Sequence, residues 1–175
     1  MTKMPVLETP RLLLRPFTLD DVPALYELTS RPEVVRYVGN KPAASVAAAR
    51  DLLEKGALRD YEVHGYGRHA VVLKETGGVI GFHGLKVMDE IGETELGYSL
   101  LPAHWKKGLA TEAARVVVEH AWNVLGLLRI VSLIHPENVA SINVVTKLGM
   151  THDRRVRLSF VTDSDVEMYA MRRPT

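Results

Sequence analysis

Residues 104–113 form the segment with the clearest chemical signal in this chain. They read His-Trp-Lys-Lys-Gly-Leu-Ala-Thr-Glu-Ala and place a glycine and two lysines at the start of a helical pattern. The first amides of a helix have no partner inside it, and the helix macrodipole makes that end electropositive. Gly108 lets a ligand approach the backbone closely. The segment therefore predicts a site for a phosphorylated ligand, although an ordinary helix that follows a loop glycine would have the same sequence.

The residues after Gly108 repeat with the period of an amphipathic helix. We expect its inward face to contain Ala110, Ala113, Ala114, Val117, Ala121, Val124 and Leu125. On the outward face, which includes Glu119 and Asn123, we expect Glu112 to pair with Arg115 and Arg115 to pair with Glu119. Gly126 is a suitable point for the helix to end.

The composition is typical of one soluble globular domain. The chain has 175 residues, 46% hydrophobic and 25% charged, which predicts a single domain over residues 1–175. No apolar run approaches the roughly 20 residues of a membrane span, and the N-terminus lacks the apolar segment of a signal peptide, so we expect a cytoplasmic protein. The absence of cysteine excludes a cysteine nucleophile. A net charge of +1 gives no general attraction to nucleic acid or membranes, so we expect a small partner.

Hydrophobic periodicity and turn residues predict alternating strands and helices. In the first part we expect a strand at 11–16, a helix capped by Thr18 and Asp21, a loop at 33–41 and a helix from Ser45 with Val46, Ala49, Leu52 and Leu53 inward. We then expect antiparallel strands at 68–74, 79–88 and 93–100. After the residue 109 helix we expect a buried strand at 129–134, a helix at 138–148 ended by Gly149, and closing strands at 150–161 and 166–172. The strand, helix and strand around residue 115 predict a parallel crossover.

The order of these motifs resembles the GNAT superfamily of N-acetyltransferases, in the branch of RimJ/RimL-like enzymes that acetylate ribosomal protein N-termini. The resemblance runs over nearly the whole chain through the segments 8–15, 81–85, 95–98, 105–113, 138–141 and 147–150. It implies an α/β fold whose central, mostly antiparallel sheet is splayed between the strand that contains Glu95 and the strand that contains Arg129. It also implies acetyl-CoA as cosubstrate, with no metal.

The resemblance implies that backbone amides of the 105–111 turn bind the pyrophosphate of acetyl-CoA. Family members carry Arg or Gln where this chain has Trp105, and the RimJ/RimL-like branch commonly carries Trp there. Cofactor contacts are accordingly expected at Lys106, Lys107, Gly108, Leu109, Ala110 and Thr111. The alternative for the two lysines is that they are solvated charges of a loop and make no contact with the cofactor.

The same resemblance suggests catalytic roles for residues outside the turn. A reacting amine must lose a proton, since an alkyl ammonium has a pKa near 10.4. Glu95 is the expected base, and Glu93 is the alternative. Either residue could instead be a solvated carboxylate on a half-exposed strand, with no catalytic role. A backbone amide near Leu100, where family members have a bulge, is the expected oxyanion donor. Ser141 is the expected hydroxyl donor to the leaving thiolate, or else a residue that only orders its helix.

Other polar and aromatic residues are candidates for binding. Asn138 would cap a helix or hold the pantetheine arm of the cosubstrate, and Asn143 and Lys147 would reach its nucleotide end. Tyr37, His83 and Trp105 are candidates for the acceptor pocket, and packing is the alternative for each. The seven histidines show no metal-ligand spacing, so we expect no metal site.

We therefore expect direct acetyl transfer from acetyl-CoA to a primary amine, on either a protein N-terminus or a small molecule. A noncatalytic acyl-CoA sensor with the same fold and, less favoured, a protein for another phosphate ligand such as a nucleotide are the alternatives. We expect acceptor specificity to lie in residues 31–45 and 152–165. A homodimer would be compatible with the sequence.

Overall fold

Eight strands form one sheet in the order β1-β2-β3-β4-β5-β6-β8-β7. The computed structural model describes residues 4–38, 41–161 and 164–175. The strands are β1 (Leu7–Glu8), β2 (Leu12–Arg15), β3 (Arg68–Leu73), β4 (Val79–Met88), β5 (Glu93–Leu100), β6 (Arg129–Ile134), β7 (Thr151–Val156) and β8 (Val166–Arg172). All neighbours are antiparallel except β5 and β6, which are parallel. The predicted fold class and crossover are confirmed.

Helices cover both faces of the sheet. They are α1 (Val22–Thr29), α2 (Pro32–Val35), α3 (Val46–Leu53), α4 (Arg59–His64), α5 (Leu109–Asn123) and α6 (Val139–Lys147). The predicted caps are present: the Asp21 carboxylate accepts from the Thr18 amide at 2.9 Å, and the Ser45 hydroxyl accepts from the Ala48 amide at 3.1 Å.

Several sequence-based boundaries are wrong. The expected loop at 33–41 overlaps α2, and the helix that begins after Ser45 continues through a π-helical stretch, Glu54–Leu58, into α4. The first closing strand ends at Val156, five residues earlier than expected. Val46 and Leu52 are about half exposed, because α3 packs on α1 through one narrow side and only Ala49 and Leu53 are buried.

Alternate residues of each central strand enter two separate cores. Val71 packs with Ala113 and Val117 of α5 on one face, while Ala70 packs with Leu25 and Leu28 of α1 on the other. The hydrophobic periodicity of α5 therefore identifies the buried side of that helix, except at Val124. Val124 lies beyond the last helical turn and is 70% exposed. The chain reverses at Gly126, where the Leu127 amide donates to the Ala121 carbonyl at 3.0 Å.

The sheet opens between β5 and β6. The two strands are in register at a single pair, Glu95 with Val131. Next to it, the Ser132 hydroxyl donates to the Leu96 carbonyl at 2.9 Å. Beyond Leu96, β5 continues to Leu100 paired only with β4, so one edge of β5 faces the opening. The expected splay is confirmed.

A polar brace fixes the start of α5 to the turn between β1 and β2. The Glu112 carboxylate accepts from the Thr9 hydroxyl at 2.6 Å, from the Arg11 amide at 3.0 Å and from Arg11 Nε at 2.7 Å. Burial acts to raise the pKa of the Glu112 carboxyl, but these hydrogen bonds outweigh it and hold that pKa below its usual value. The expected pairing of Glu112 with Arg115 is therefore wrong, because three converging donors of Thr9 and Arg11 hold the carboxylate, whereas a single exposed neighbour on the helix would add little.

Replacing Glu112 by alanine should lower the free energy of unfolding by about 1–3 kcal/mol, because three donors lose their acceptor and one of them is charged. Glu119→Ala, an exposed position on the same helix, is the matched control and should change it by less than about 0.5 kcal/mol. Denaturant unfolding measures both. Equal losses in the two variants would show that the brace adds nothing.

Two buried histidines should make stability fall in acid. Burial lowers the pKa of His83 to about 3 and that of His69 to about 4, while the unfolded chain protonates its histidines near pH 6.5. Between those values the unfolded state binds the additional protons, so the contribution of each neutral histidine is complete above pH 6.5 and is lost as the pH falls. The expected slope is about 1.4 kcal/mol per pH unit for each residue. Urea titrations from pH 6 to pH 4.5 should give a shallower slope for His83→Gln than for the parent chain; parallel slopes would contradict this assignment.

Candidate active site

The opening between β5 and β6 continues into a cavity of about 690 Å³. One end is formed by the facing edges of the two strands and by the start of α6. The other end is enclosed by α1, α2, the α3–α4 stretch and the segment that follows β7. Its lining includes Leu96, Tyr98 and Ser99 of β5, Ser132 and Ile134 of β6, and Asn138 and Ser141 at the start of α6.

Glu95 lies in the cavity and Glu93 does not. The Glu95 side chain is 13% exposed, and its Oε2 accepts from Arg68 Nη2 at 2.9 Å. Arg68 in turn lies over the Phe82 ring at 4.9 Å. Glu93 is two residues earlier on the same face and pairs with Arg129 at 3.1 Å. Of the two candidate bases, only Glu95 is therefore held where a substrate could reach it.

Ser141 and Asn138 lie at the other side of the opening, in the first turn of α6. The Asn138 Oδ1 accepts from the Ser141 amide at 3.2 Å, which confirms the expected cap. The Ser141 hydroxyl lies beside that of Tyr98, although the two do not form a regular hydrogen bond. Burial raises the pKa of the Tyr98 hydroxyl to about 12, and the neighbouring Ser141 opposes this. The cavity lining thus includes two hydroxyl side chains, Tyr98 on the same strand as Glu95 and Ser141 on α6.

The turn before α5 exposes backbone amides. Lys106 and Gly108 have left-handed backbone angles, with φ of 60° and 76°. The Gly108 carbonyl accepts the first helical bond, from the Glu112 amide at 3.0 Å, so the amides of residues 109–111 precede any partner within the helix. Arg11 Nη1 donates to the Lys107 carbonyl at 3.0 Å and steadies the turn. This is a suitable cradle for an anion.

Side chains fasten that turn to the end of β5. Trp105 Nε1 donates to the Leu100 carbonyl at 2.7 Å, and the Leu109 side chain is buried in the core. The Ala110 carbonyl bonds with the His83 ring at 3.2 Å. Thr111, Lys106 and Lys107 retain exposed or partly exposed side chains. The expected phosphate segment is therefore adjacent to the open strand edge.

The Leu100 amide points toward the opening. The Leu101 amide donates to the Ile80 carbonyl at 2.8 Å, so Gly81 and Leu100 form a non-hydrogen-bonded pair and the N–H of Leu100 turns away from β4. The expected bulge in β5 is wrong, because the pairing with β4 keeps one register from Glu93 to Leu100. The register shift lies instead between Val71 and Val72, where β3 pairs with β4.

Two of the three aromatic candidates for the acceptor pocket lie elsewhere. Tyr37 lines the cavity. His83 is fully buried on the opposite face of the sheet from Glu95 and stacks on Tyr98 with ring centroids 5.0 Å apart. Trp105 is 43% exposed and bonds to β5, outside the cavity lining. The structure therefore does not bring His83 or Trp105 to this cavity, and the ring of each bonds instead to a backbone carbonyl.

The two polar residues farther along α6 are also outside the cavity. Asn143 and Lys147 are exposed. Lys147 borders a separate shallow depression of about 260 Å³ with Trp122. The cavity does not include either residue, so any contact with a ligand there would be made at the outer surface of α6.

Part of the cavity wall was missed by sequence reasoning. Both expected specificity segments contribute to the lining, and positions 39, 40, 162 and 163 of those segments lie outside the described residues. The contributing side chains are Val34, Val35, Tyr37, Val38, Leu158, Phe160 and Val161. However, Asp51, Leu52 and Asp60 also line the cavity, because the stretch after α3 kinks at Gly56 and folds over it. No local pattern marks that kink apart from Gly56 itself, which has a non-helical backbone angle inside a helical run.

Across 4–38, 41–161 and 164–175, no helix combines the length and apolar character needed to cross a bilayer. The same ranges contain no cluster of three or more His, Asp or Glu side chains suited to a metal ion.

Comparison with known proteins agrees with this geometry. The profile of the acetyltransferase (GNAT) domain matches residues 11–151. The uncharacterized N-acetyltransferase p20 of Bacillus licheniformis is 35% identical, with 88% of this chain and 86% of the relative covered. The uncharacterized N-acetyltransferase YoaA of Bacillus subtilis is 33% identical, with 97% and 98% covered. An acetyltransferase structure from Agrobacterium tumefaciens superimposes with a TM-score of 0.83 at 29% identity, over 97% and 95% of the two chains. This chain therefore belongs to the GNAT family and is an acetyltransferase.

Proposed function

We propose that the protein transfers an acetyl group from acetyl-CoA to a primary amine by direct attack of the amine on the thioester. The observation that carries this proposal is the position of Glu95 and Ser141 in one cavity, at a sheet edge whose end is bonded to an anion cradle. A thioester arm that lay along β5 would find unpaired backbone groups there.

Glu95 is the proposed base. The amine must reach the cavity neutral or lose a proton in it, and the carboxylate is the acceptor at hand. Arg68 donates a hydrogen bond to Oε2 of Glu95 and so fixes the carboxylate in one orientation. Attack by the amine nitrogen forms a tetrahedral oxyanion, for which the Leu100 amide is the proposed donor. Collapse breaks the carbon–sulfur bond and releases the CoA thiolate, which the Ser141 hydroxyl stabilises by a hydrogen bond and which takes its proton from solvent as the product leaves.

The turn is the proposed site for the diphosphate of acetyl-CoA. The donors would be the amides of residues 106–111, and Lys106 and Lys107 would add positive charge at the rim. The Asn138 cap would order the start of α6 beside the pantetheine arm. Asn143 and Lys147 stay candidates for the outer, nucleotide end. The proposed acetyl donor, acetyl-CoA, is a primary metabolite, and we therefore propose that the reaction takes place in the cytoplasm.

The nature of the acceptor and the branch of the family are also proposals. The spermidine N(1)-acetyltransferase of Escherichia coli K12 is 25% identical over 139 residues, covering 79% of this chain and 72% of the relative. That relative supports an amine acceptor of some kind. Trp105 at the head of the cradle supports the RimJ/RimL-like branch, in which the amine would belong to a protein N-terminus.

Gly108→Ala should weaken acetyl-CoA binding about tenfold or more, because the left-handed angle becomes strained and a Cβ intrudes where the phosphates would lie. Gly126→Ala is the matched control, since that glycine also has a left-handed φ, 68°, and open space around it. Both variants should lose similar stability, but only Gly108→Ala should show a higher Kd in calorimetric titration. Equal affinities in the two variants would move the diphosphate away from this turn.

Glu95→Gln should lower kcat by about 10²-fold or more and leave the Kd for acetyl-CoA unchanged, because the amide cannot take the proton. Glu93→Gln is the matched control: it loses an equivalent ion pair outside the cavity and should retain kcat. Release of free CoA thiol measures turnover. Full activity in Glu95→Gln would assign the base elsewhere, and binding of acetyl-CoA without thiol release across a broad amine panel would favour the noncatalytic sensor.

A further inference from the structure

We propose that Tyr98 is a positioning residue for the leaving group: its hydroxyl donates a hydrogen bond to Ser141 Oγ and so directs the proton of that serine toward the CoA sulfur. This inference rests on the proposed function, because it concerns the side chain that would stabilise the leaving thiolate. It gives a role to a hydroxyl that the steps described above do not use.

The Tyr98 hydroxyl is buried without a partner. Its oxygen is closed to solvent and has no regular hydrogen bond to any residue in 4–38, 41–161 or 164–175. The ring packs without it, stacked on His83 with centroids 5.0 Å apart and planes 14° apart. A phenylalanine would fill the same space, whereas an unpaired buried O–H destabilises the folded chain. The hydroxyl therefore stabilises nothing in the free protein, and we expect its partner to be gained when a ligand binds.

The position of the Tyr98 ring is fixed by contacts that lead to the anion cradle. Tyr98 and His83 are cross-strand neighbours on β5 and β4. The His83 ring is fully buried and bonds with the Ala110 carbonyl, in the first turn of α5, at 3.2 Å. The hydroxyl is thus held at one place by the same contacts that support the start of α5.

Ser141 is the neighbour through which this buried hydroxyl would act. Its own hydroxyl lies beside that of Tyr98, and its side chain is partly exposed in the cavity lining. The Ser141 amide is held by Asn138 Oδ1 at 3.2 Å, so the side chain is the part that turns, between staggered rotamers. A serine hydroxyl donates one proton and accepts through two lone pairs. When Tyr98 donates to it, its proton is left for the sulfur.

The two faces of the sheet separate attack from departure. Glu95 and Tyr98 are three residues apart on β5, so their side chains lie on opposite faces. Leu96 and Val145 of α6 pack with α5 in the core on the Tyr98 face, while Phe82 packs with α1 on the Glu95 face. An amine that approaches Glu95 and a thiolate that leaves toward α6 would therefore lie on opposite sides of the reacting carbon.

Tyr98 transfers no proton in this arrangement. Burial raises the pKa of its hydroxyl, which stays a neutral donor. No bond of Tyr98 or Ser141 is made or broken, and the thiolate still takes its proton from solvent. The gain comes from an oriented hydrogen bond to the charge that develops on sulfur.

The first test measures the thiol of bound CoA and needs no acceptor. The chain has no cysteine, so CoA supplies the only thiol, and the ultraviolet absorbance of its thiolate follows the ionisation. At saturating CoA, Tyr98→Phe should raise the pKa of the bound thiol by about 0.5 pH unit or more, because the thiolate loses an oriented donor. Tyr66→Phe is the matched control, since Tyr66 lies outside the lining and bonds with Thr94 Oγ1 at 3.2 Å. Equal thiol pKa values in Tyr98→Phe and the parent chain would overturn the inference.

Kinetics show whether Tyr98 acts through Ser141. Tyr98→Phe should lower kcat about fivefold or more and leave KM for acetyl-CoA nearly unchanged. In a Ser141→Ala background the same substitution should change kcat by less than about twofold, because the serine that it positions is absent. Equal decreases in the two backgrounds, or an unchanged kcat in the single variant, would overturn the inference.

Thermal unfolding of the free protein tests whether the hydroxyl is unpaired. Tyr98→Phe removes no hydrogen bond, so its Tm should equal or exceed that of the parent chain. Tyr66→Phe loses the bond to Thr94 and should have a lower Tm. A similar fall in both variants would show that the Tyr98 hydroxyl already has a partner in the free protein, against the inference.

These measurements also separate the inference from the proposed function. If CoA binds but no amine releases thiol, the transfer reaction is wrong, and the pKa of the bound thiol alone decides the role of Tyr98. If transfer occurs while the thiol pKa and kcat of Tyr98→Phe match the parent chain, the proposed function stands and this inference is wrong.

Discussion

The site depends on one constraint in the sheet: β5 and β6 are parallel neighbours that meet at a single residue pair. Glu95 is paired with Val131. The Ser132 hydroxyl donates a hydrogen bond to the Leu96 carbonyl, which would otherwise accept one from the backbone of a neighbouring strand. A sheet edge with unpaired amides normally invites association with another chain. Here the edge lies inside the molecule, between the helices on the two faces, where a ligand of extended shape can use it. The gap and the cavity therefore share one origin, and Glu95 lies at the point where the two strands meet.

The cradle before α5 is held by contacts that do not touch the expected ligand. Arg11 binds the Lys107 carbonyl and the Glu112 carboxylate together, and Trp105 ties the turn to the Leu100 carbonyl. His83 supports Ala110 from within the core. An anion site built from backbone amides binds its ligand most tightly when that backbone is already ordered. Binding then costs no further conformational entropy. The neighbouring side chains thus act through the backbone that they fix.

The sequence predicted the elements whose cause is local and missed the features whose cause is distant. The glycine that opens α5, the Asn138 cap and the strand at 93–100 follow from neighbouring residues, and the structure has all three. The partner of Glu112 lies 101 residues away, so an (i, i+3) rule proposed Arg115 instead. For His83 the sequence left two alternatives, the acceptor pocket and packing; the pairing of β4 with β5 directs its side chain to the face opposite Glu95, where it packs. Leu52 was expected in the core because helical periodicity identifies an apolar face but not how much of that face the neighbouring helix covers.

The two halves of the cavity are built from different parts of the chain, and this has a consequence for specificity. The half expected to hold the cosubstrate uses backbone groups of β5 and the α5 turn, which depend on fold and tolerate changes of side chain. The half proposed for the acceptor uses side chains of α1, of the kinked α3–α4 stretch and of the segment that follows β7. The Arg68–Glu95 pair also lines the cavity. Under the proposed function, substitutions at Leu52 or Phe160 would change which amine enters while the backbone cradle and the opening of the sheet stay intact, because neither side chain contributes to the bonds that hold the turn or the strands.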